Sequence, residues 1–359
     1  MLNKKIYNCH THIFTIDHVP DKFLPPVLKS LAKKIVSRKF VRVLRKVGFR
    51  DWSELLKRYY FFMKIGEKGS QENIFKHLQG FYPSETAFVA LSMDMEFMGA
   101  GKVPENFDAQ LLELELLKKK HSNHIYPFVF AHPERQGIFD IVRHSIEERG
   151  FAGIKIYPAL GYFPHDPRLE KVYEYAEQNS IPIMTHCTRG GVFYKGKLST
   201  ERRTEPRTGE VYPKAKNSVF TDVYSNPERY CQLLKDFPKL KLCFAHWGGA
   251  NEWDKFLMNS WHDEAKDSWF YKIIQIINQY ENVYTDISYT LADPKYYATL
   301  KSFLISNEKL KKRVLFGTDY YMTEQEVSER AFGMNLRGFI GEDIWNAISN
   351  ENPKNYLNL

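Results

Sequence analysis

The fold is decided by residues 153–187, which read GIKIYPALGYFPHDPRLEKVYEYAEQNSIPIMTHC. A short β-branched run, Gly153–Tyr157, is followed by apolar residues at helical spacing over Leu169–Asn179 and then by a second short run, Ile181–Thr185. A change of hydrophobic period from strand to helix and back is typical of a strand, a helix and a parallel strand. The segment therefore predicts one βαβ unit of a parallel sheet.

The same alternation extends in both directions until the chain holds eight candidate strands. They are Ile6–Cys9, Ala87–Ser92, Ile125–Ala131, Gly153–Tyr157, Ile181–Thr185, Lys241–Ala245, Val283–Ile287 and Val314–Gly317. The helical patterns between them include Phe107–Lys120, Gly137–Arg149, Leu169–Asn179, Pro227–Phe237 and Ser268–Tyr280. Eight strands that alternate with helices favour a closed (β/α)8 TIM barrel over an open sheet. Since no repeat or low-complexity linker divides the chain, we expect one barrel domain over residues 1–359.

Two connections are longer than a simple crossover requires. Residues 17–83 follow the first strand and residues 188–226 follow the fifth. Both insertions leave the carboxyl end of a strand, which is the face on which barrel enzymes place their active sites. Long loops without secondary structure are usually functional or mobile. We therefore predict that these two insertions enclose a substrate.

One segment of the first insertion explains the net charge of +8. Between Lys29 and Arg50 there are nine Lys or Arg residues and no acidic residue, with apolar residues interleaved at helical spacing. This pattern predicts an amphipathic basic helix or helix pair over residues 29–50. A helix whose apolar stripe packs on the body and whose basic face is solvated explains this pattern. Attraction of an anionic substrate or partner would also explain it, and docking on a membrane or nucleic acid is the remaining alternative. We expect a small-molecule substrate and no nucleic acid, and pairing of the barrel into a homodimer is compatible with its aromatic content.

The composition excludes several other classes of protein. Hydrophobic residues make up 43% and charged residues 26%, and no apolar run reaches the roughly 18 residues of a transmembrane helix. The first seven residues resemble the opening strand rather than a signal peptide. The four cysteines are scattered without a CxxC pair, which favours free thiols in the reducing cytoplasm.

Two imidazoles stand two residues apart in the sequence Cys9-His10-Thr11-His12, at the end of the first strand. Side chains i and i+2 of a strand share a face, so both rings can point into the barrel mouth and share one metal ion. By itself this spacing is a weak signal, because two polar residues in a turn give the same pattern.

Other chemically active residues fall at further strand ends. Lys155 stands inside the apolar fourth strand, and His186, His246 and Asp319 follow the fifth, sixth and eighth strands. Each residue taken alone is explained by ordinary hydrogen bonding. In a barrel, however, the strand ends converge on one site, and the set together indicates a single catalytic centre.

The order of these residues along the chain resembles the amidohydrolase superfamily. The strings GIKIYP, THC, AHWGG and FGTD are most similar to the amidohydrolase-related branch, which includes aminocarboxymuconate-semialdehyde decarboxylase-type enzymes. The resemblance covers the chain from Ile6 to about Tyr320. The two insertions and the residues from about Thr323 onward carry no motif of the family.

The resemblance implies a role for each of the strand-end residues. His10, His12, His186 and Asp319 would bind a divalent metal, most often Zn²⁺, and His246 would be a nearby catalytic or substrate-polarising base. Lys155 occupies the place where binuclear members carry a carboxylated lysine that bridges two ions. In that form His186 and His246 would hold the second ion, whereas the mononuclear form is the one expected here.

The ligand types that the resemblance implies suit hydrolysis. Imidazoles and one carboxylate leave a metal ion Lewis acidic, with a position open for a water molecule of lowered pKa. Asp319 would take the proton of this water and pass it to the leaving group, and His246 would hydrogen-bond to the reacting carbonyl. We therefore expect hydrolysis of an amide, lactone or ester bond in a small, carboxylated or cyclic substrate.

Two alternatives to hydrolysis stay open at this point. The same residues support non-oxidative decarboxylation of a small carboxylic acid, and the ligands do not distinguish the two reactions. A barrel that acts as a binding or scaffold protein, whose basic helix docks on an anionic surface, is the third possibility.

Three further residues are weaker candidates. Arg189 follows His186 by three residues and is the candidate clamp for a substrate carboxylate, although a solvated loop arginine has the same sequence context. Trp247, beside His246, is a candidate wall of the substrate pocket. Asp286, near the end of strand seven, is either a partner of a ligand or buried polar structure.

Overall fold

Eight parallel strands form one sheet in the order β1 to β8 in the structure, a computed structural model that describes residues 4–23, 64–259 and 262–359. The strands are β1 Tyr7–Thr11, β2 Ala87–Leu91, β3 Ile125–Phe130, β4 Gly153–Ile156, β5 Ile183–Thr188, β6 Leu242–Gly248, β7 Val283–Asp286 and β8 Val314–Leu315. Nearly every strand residue is buried, as expected for parallel strands covered on both faces. The eight predicted strands and the TIM barrel are thereby confirmed, with strand ends that differ by at most three residues from the prediction.

The barrel closes through a short contact between its last and first strands. β8 is two residues long and pairs with β7. Beyond its end, the Cys9 N–H donates to the Phe316 carbonyl at 2.8 Å, and the Asp319 N–H donates to the His10 carbonyl at 2.8 Å. We call this contact of residues 9–10 with residues 316–319 the β8–β1 seam. Few backbone hydrogen bonds hold it, although two of the predicted site residues lie on it.

Side chains fill the amino-terminal half of the barrel, so the barrel has a packed interior. The inward-facing apolar cluster includes Tyr7, Cys9, Val89, Leu91, Phe128, Met184, Cys243, Tyr284, Tyr356 and Leu357. Gly153 leaves the room that the Phe128 ring occupies, because a Cβ at this position would lie 2.5 Å from the ring. The site must therefore lie above this layer, at the carboxyl ends of the strands.

Helices surround the barrel in the part of the chain that the structure describes. They are α1 Gln71–Gln79, α2 Phe107–Lys120, α3 Ile138–Glu147, α4 Glu170–Gln178, α5 Thr200–Arg203, α6 Asn217–Tyr224, α7 Tyr230–Asp236, α8 Ala250–Met258, α9 Trp269–Gln279, α10 Tyr297–Ser306, α11 Glu308–Lys311, α12 Tyr320–Glu326, α13 Glu329–Ile340, α14 Glu342–Asn346 and α15 Asn352–Leu357. The five predicted helices are α2, α3, α4, α7 and α9, with ends within three residues of the prediction. Asn106 and Ser268 begin α2 and α9 by accepting a backbone N–H with their side chains, as N-cap residues do. None of the described helices combines the length and the apolar character needed to cross a bilayer.

Both long connections contain helices where they are described, although only the first was predicted to be helical. The predicted basic helix over residues 29–50 lies outside the described residues. α1 lies in the connection from β1 to β2, and the connection from β5 to β6 carries α5, α6 and α7. α6 is anchored by Phe220 and Tyr224, which form a small apolar cluster with Phe163. This local core explains how the second connection adopts regular structure.

Candidate metal centre

The predicted strand-end residues converge at the carboxyl-terminal mouth of the barrel. They are His10 and His12 from β1, Lys155 from β4, His186 from β5, His246 from β6 and Asp319 from the residues after β8, and none is more than 9% exposed. The pairing of β1 with β2 shifts its register between Asn8 and Thr11, and such a shift re-aims the side chains of a strand. In a regular strand, Cys9 and His10 would point to opposite faces. The register shift lets His10 join His12 at the mouth although its neighbour Cys9 belongs to the interior cluster.

His10, His246 and Asp286 form one group of possible metal ligands. His10, His12 and Asp319 form another, in which one donor atom of each lies within 4.8 Å of the donor atoms of the other two. The Nδ1 atom of His10 lies 2.8 Å from a carboxylate oxygen of Asp286, and His12 Nδ1 donates to the Leu91 carbonyl at 3.0 Å. With Nδ1 engaged in this way, each imidazole is oriented with Nε2 available to a metal ion.

His246 and His186 lie beside this group. The ring centroid of His246 is 4.8 Å from that of His10 and 5.1 Å from that of His186. The Nε2 atom of His186 is buried and has no hydrogen-bond partner among the described residues, and the Tyr157 ring stacks on the imidazole at 3.9 Å. Three of the four predicted ligands thus share the 4.8 Å group, whereas His186 meets it through His246. The unpartnered nitrogen of His186 is a group that a ligand would satisfy.

Asp286, at the end of β7, connects two of these histidines. One carboxylate oxygen faces His10 Nδ1, and the other accepts the His246 N–H at 2.9 Å and the Ser288 N–H at 3.0 Å. Burial by itself would raise the pKa of this carboxyl, but the neighbouring His10 and His246 outweigh burial and hold the pKa below its ordinary value. Of the two roles left open by the sequence, these contacts favour a partner of a ligand over isolated polar structure.

Ser288 is a member of the site that sequence reasoning missed. Its hydroxyl oxygen lies 3.1 Å from His10 Nδ1 and 2.9 Å from His246 Nδ1. A serine two residues after a strand is too common to carry a signal, whereas its place between two imidazoles depends on the tertiary structure.

Lys155 is fully buried, and its amine has no hydrogen-bond partner among the described residues. Burial lowers the pKa of this amine to about 8, against the opposite effect of the Asp286 and Asp319 carboxylates. A buried cation without a hydrogen bond is costly. The amine is therefore a candidate contact for an anionic group at the mouth.

The charge states of the histidines fit a metal ligand set. Burial lowers the pKa of His12 and His186 well below its ordinary value, and it lowers the pKa of His246 to about 3. These imidazoles are neutral near pH 7, which is the form that binds a metal. Neutral imidazole nitrogens, one of them without a partner, and a nearby carboxylate are the donors that divalent transition metals prefer.

Three neighbouring residues have backbone angles that L-amino acids rarely adopt. The φ angle is +66° at His246, +45° at Trp247 and +54° at Asp319. Non-glycine residues in the left-handed region are strained and cluster at functional sites. All three are predicted site residues, which is independent support for a functional centre at this mouth.

The guanidinium of Arg189 contacts acidic residues of the protein. It donates to Glu252 at 2.6 Å and to Asp222 at 2.8 Å, and it lies 4.5 Å from the centre of the Trp269 ring. A substrate carboxylate would have to compete with these partners, so the role of Arg189 as a clamp stays a prediction.

The Trp247 ring packs behind the strand ends. It is fully buried, stacks on Phe270 at 5.2 Å and meets Trp253 edge-on at 5.2 Å. These contacts account for its burial by core packing, and its role as a pocket wall stays a prediction.

The chain matches a known protein-family model. Residues 86–358 match the family model described as amidohydrolase, so the chain belongs to the amidohydrolase family. No curated protein is significantly similar in sequence to this chain. Because the family consists of metal-dependent enzymes, the chain is an enzyme, and its histidine and carboxylate group supports a divalent metal.

Several solved structures have the same fold. A dihydroxybenzoic acid decarboxylase from Polaromonas sp. JS666, with bound manganese and the inhibitor 2-nitroresorcinol, is 17% identical with a TM-score of 0.56, over 99% of this chain and 97% of that chain. The 5-carboxyvanillate decarboxylase of Sphingomonas paucimobilis is 12% identical with a TM-score of 0.53, over 99% and 100%. The 4-oxalomesaconate hydratase of Rhodopseudomonas palustris is 14% identical with a TM-score of 0.50, over 98% and 95%. At these identities the likeness concerns the fold.

Proposed function

We propose that the enzyme catalyses non-oxidative decarboxylation of a small carboxylic acid at one divalent metal, with Zn²⁺ as the first candidate. His10, His12, His186 and Asp319 would hold the metal. The observation that carries the proposal is the enclosed mouth, in which all these side chains are at most 9% exposed beside the unpartnered Lys155 amine. Such a site favours an anionic substrate and a reaction that consumes no water.

Each residue has a defined task in this reaction. When bound, the metal would supply Lewis acidity to a substrate oxygen. Lys155 would bind an anionic group of the substrate, and His246, with Nδ1 beside Ser288, would direct Nε2 at the reacting group. The bond to the carboxylate breaks, its electron pair stays on the carbon, and CO₂ leaves. Asp319 would hold the proton that this carbon then takes up.

The segment after β5 supports the enclosure of a substrate. The Val192 N–H donates to the Tyr157 hydroxyl at 3.1 Å, and the Lys195 N–H donates to the Met98 carbonyl at 2.8 Å. Residues 189–195 thus contact the connections that follow β4 and β2. We propose that the insertion 188–226 covers the substrate within a single barrel domain.

The solved structures with the same fold favour decarboxylation over hydrolysis, which is the reaction first expected from the sequence. Two of the three structures named above are decarboxylases of aromatic acids. Hydrolysis is the second candidate, and the placement of Asp319 within 4.8 Å of His10 and His12 favours it, because this carboxylate could take the proton of a water held there.

Turnover of candidate acids in D₂O tests the proposal directly. We expect the metal-loaded enzyme to release CO₂ from at least one acid of a panel built on 5-carboxyvanillate and the dihydroxybenzoates. Each CO₂ should be matched by one deuterium at the vacated carbon, as mass spectrometry of the product would show. Cleavage of esters, lactones or amides, with ¹⁸O from water in the product and no CO₂, would replace decarboxylation by hydrolysis.

Replacing Lys155 by methionine tests its role as a substrate contact. We expect one metal ion per chain to remain and KM to rise by about 10- to 100-fold, because a hydrogen bond to a charged group contributes roughly 1.5–3 kcal/mol. Lys241→Met is the matched control, since this buried lysine bonds to Asn355 at the other end of the barrel. A fall from two metal ions to one in Lys155→Met would instead assign the residue to a carboxylated bridge.

A further inference from the structure

Behind the metal centre, on the outer side of the β8–β1 seam, lies a buried polar cluster that the proposed reaction does not use. Its members are Asn8 of β1, Tyr82 before β2, Thr318 after β8 and Glu329 at the start of α13. The Glu329 carboxyl is fully buried, and one of its oxygens accepts the Thr318 hydroxyl at 2.5 Å and the Tyr82 hydroxyl at 2.7 Å. The Asn8 amide donates to the Thr318 hydroxyl at 2.8 Å and reaches the same carboxyl oxygen at 3.3 Å.

The Asn8 side chain connects this cluster to the backbone of two proposed ligands. Its carbonyl oxygen accepts the Thr318 N–H at 3.2 Å and the His10 N–H at 3.3 Å. The His10 carbonyl accepts the Asp319 N–H at 2.8 Å. The side chain of Asn8 therefore bridges the two strands at the point where His10 and Asp319 leave them.

The need for such a bridge follows from the weakness of the seam. β8 is two residues long, so regular strand pairing ends before the residues that carry the ligand. Asp319 is also held at φ +54°, and a strained residue persists only where its surroundings over-determine it. The buried polar cluster supplies hydrogen bonds at the β8–β1 seam, where strand pairing supplies few.

We propose that Glu329 is a positioning residue that fixes the distance between His10 and Asp319 through Asn8 and Thr318. The inference rests on the proposed function, because it assigns these two residues to the metal. Glu329 touches neither metal nor substrate in this scheme. Its carboxylate accepts hydrogen bonds from Asn8, Tyr82 and Thr318. Through these side chains it holds the backbone of the two proposed ligands in place.

The test compares Glu329→Leu with Glu329→Gln at one pH. Leucine leaves the Thr318 and Tyr82 hydroxyls without this acceptor, whereas glutamine keeps a carbonyl oxygen in the same place. We expect Glu329→Leu to weaken Zn²⁺ affinity about 10-fold, the lower end of the range for partners of metal ligands, and Glu329→Gln to restore it. Affinity would be measured by competition with a chromophoric chelator, and the visible absorption of Co²⁺-loaded protein would report the ligand geometry.

Asn352→Leu is the matched control for a purely structural effect. The buried Asn352 amide bonds to the carbonyls of Lys311 and Val314, both at 2.7 Å, and so ties α15 to the other end of β8. We expect this variant to lower thermal stability and to leave the affinity and the Co²⁺ spectrum unchanged. If Glu329→Leu does not fold, Thr318→Val removes the same link with a smaller change, and it should weaken affinity in the same direction.

The outcomes separate the inference from the proposed function. Full affinity and an unchanged Co²⁺ spectrum in folded Glu329→Leu or Thr318→Val would overturn the positioning role and leave the metal centre intact. Failure of the unaltered protein to take up a stoichiometric metal ion would overturn the proposed function, and the positioning role with it.

Discussion

Asp319→Asn is expected to lose its stoichiometric metal ion and at least about 1,000-fold in turnover. The neutral amide replaces an anionic ligand, and Lewis-acid stabilisation contributes several kcal/mol to catalysis, at 1.36 kcal/mol for each factor of ten. The backbone should be unaffected, since asparagine is among the residues best tolerated in the left-handed region where Asp319 lies. Metal analysis of the purified variant, followed by turnover in metal-supplemented buffer, measures both effects.

Asp94→Asn is the control for this experiment. Asp94 is also a buried carboxylate after a strand, but it pairs with Arg135 at 2.7 Å and belongs to neither group of possible metal ligands. Its replacement should lower stability and leave the metal content intact. Asp319→Asn that retains a full equivalent of metal would remove Asp319 from the ligand set.

Asp286→Asn is expected to weaken metal affinity by about 100-fold, the upper end of the range for residues that orient a ligand. Its carboxylate bonds to His10 Nδ1 and to the His246 N–H. An amide in its place can turn its own NH₂ group toward His10, which would favour the wrong tautomer of the imidazole. Titration with Zn²⁺ against a competing chelator measures the loss, and activity at saturating metal shows how much of it is recovered.

Two comparisons make the Asp286 result specific. Ser288→Ala removes the hydroxyl between His10 and His246 but leaves the carboxylate, so it should have a smaller effect on affinity. Asp94→Asn again reports the cost of losing a buried carboxylate elsewhere. Equal affinities for Asp286→Asn and the unaltered protein would show that His10 needs no partner.

The sequence was sufficient for the barrel because its signals are local. Most strands begin in a short apolar run, such as Ala87–Leu91, and each predicted helix shows its own periodicity. The convergence of His10, His12, His246 and Asp319 then follows from barrel geometry, which brings strand ends together whatever their distance along the chain.

The remainder of the site could not be predicted because it depends on contacts between distant elements. Ser288 and Glu329 occupy places in sequence where serine and glutamate are unremarkable, and only the fold brings them to the histidines and to the seam. Arg189 is the opposite case, because the sequence singled it out but the fold gives it other partners. Its position suggested a substrate clamp, but Asp222 and Glu252 come from later helices and engage its donors.

The positive φ angle of His246 has a consequence for how the chain balances stability against activity. A side chain at φ +66° costs on the order of 1–3 kcal/mol, whereas glycine adopts this angle with little penalty. Glycine in place of His246 would relieve that strain and also remove the imidazole. With the catalytic role proposed for His246, selection for catalysis and selection for a robust fold would act in opposite directions at this position.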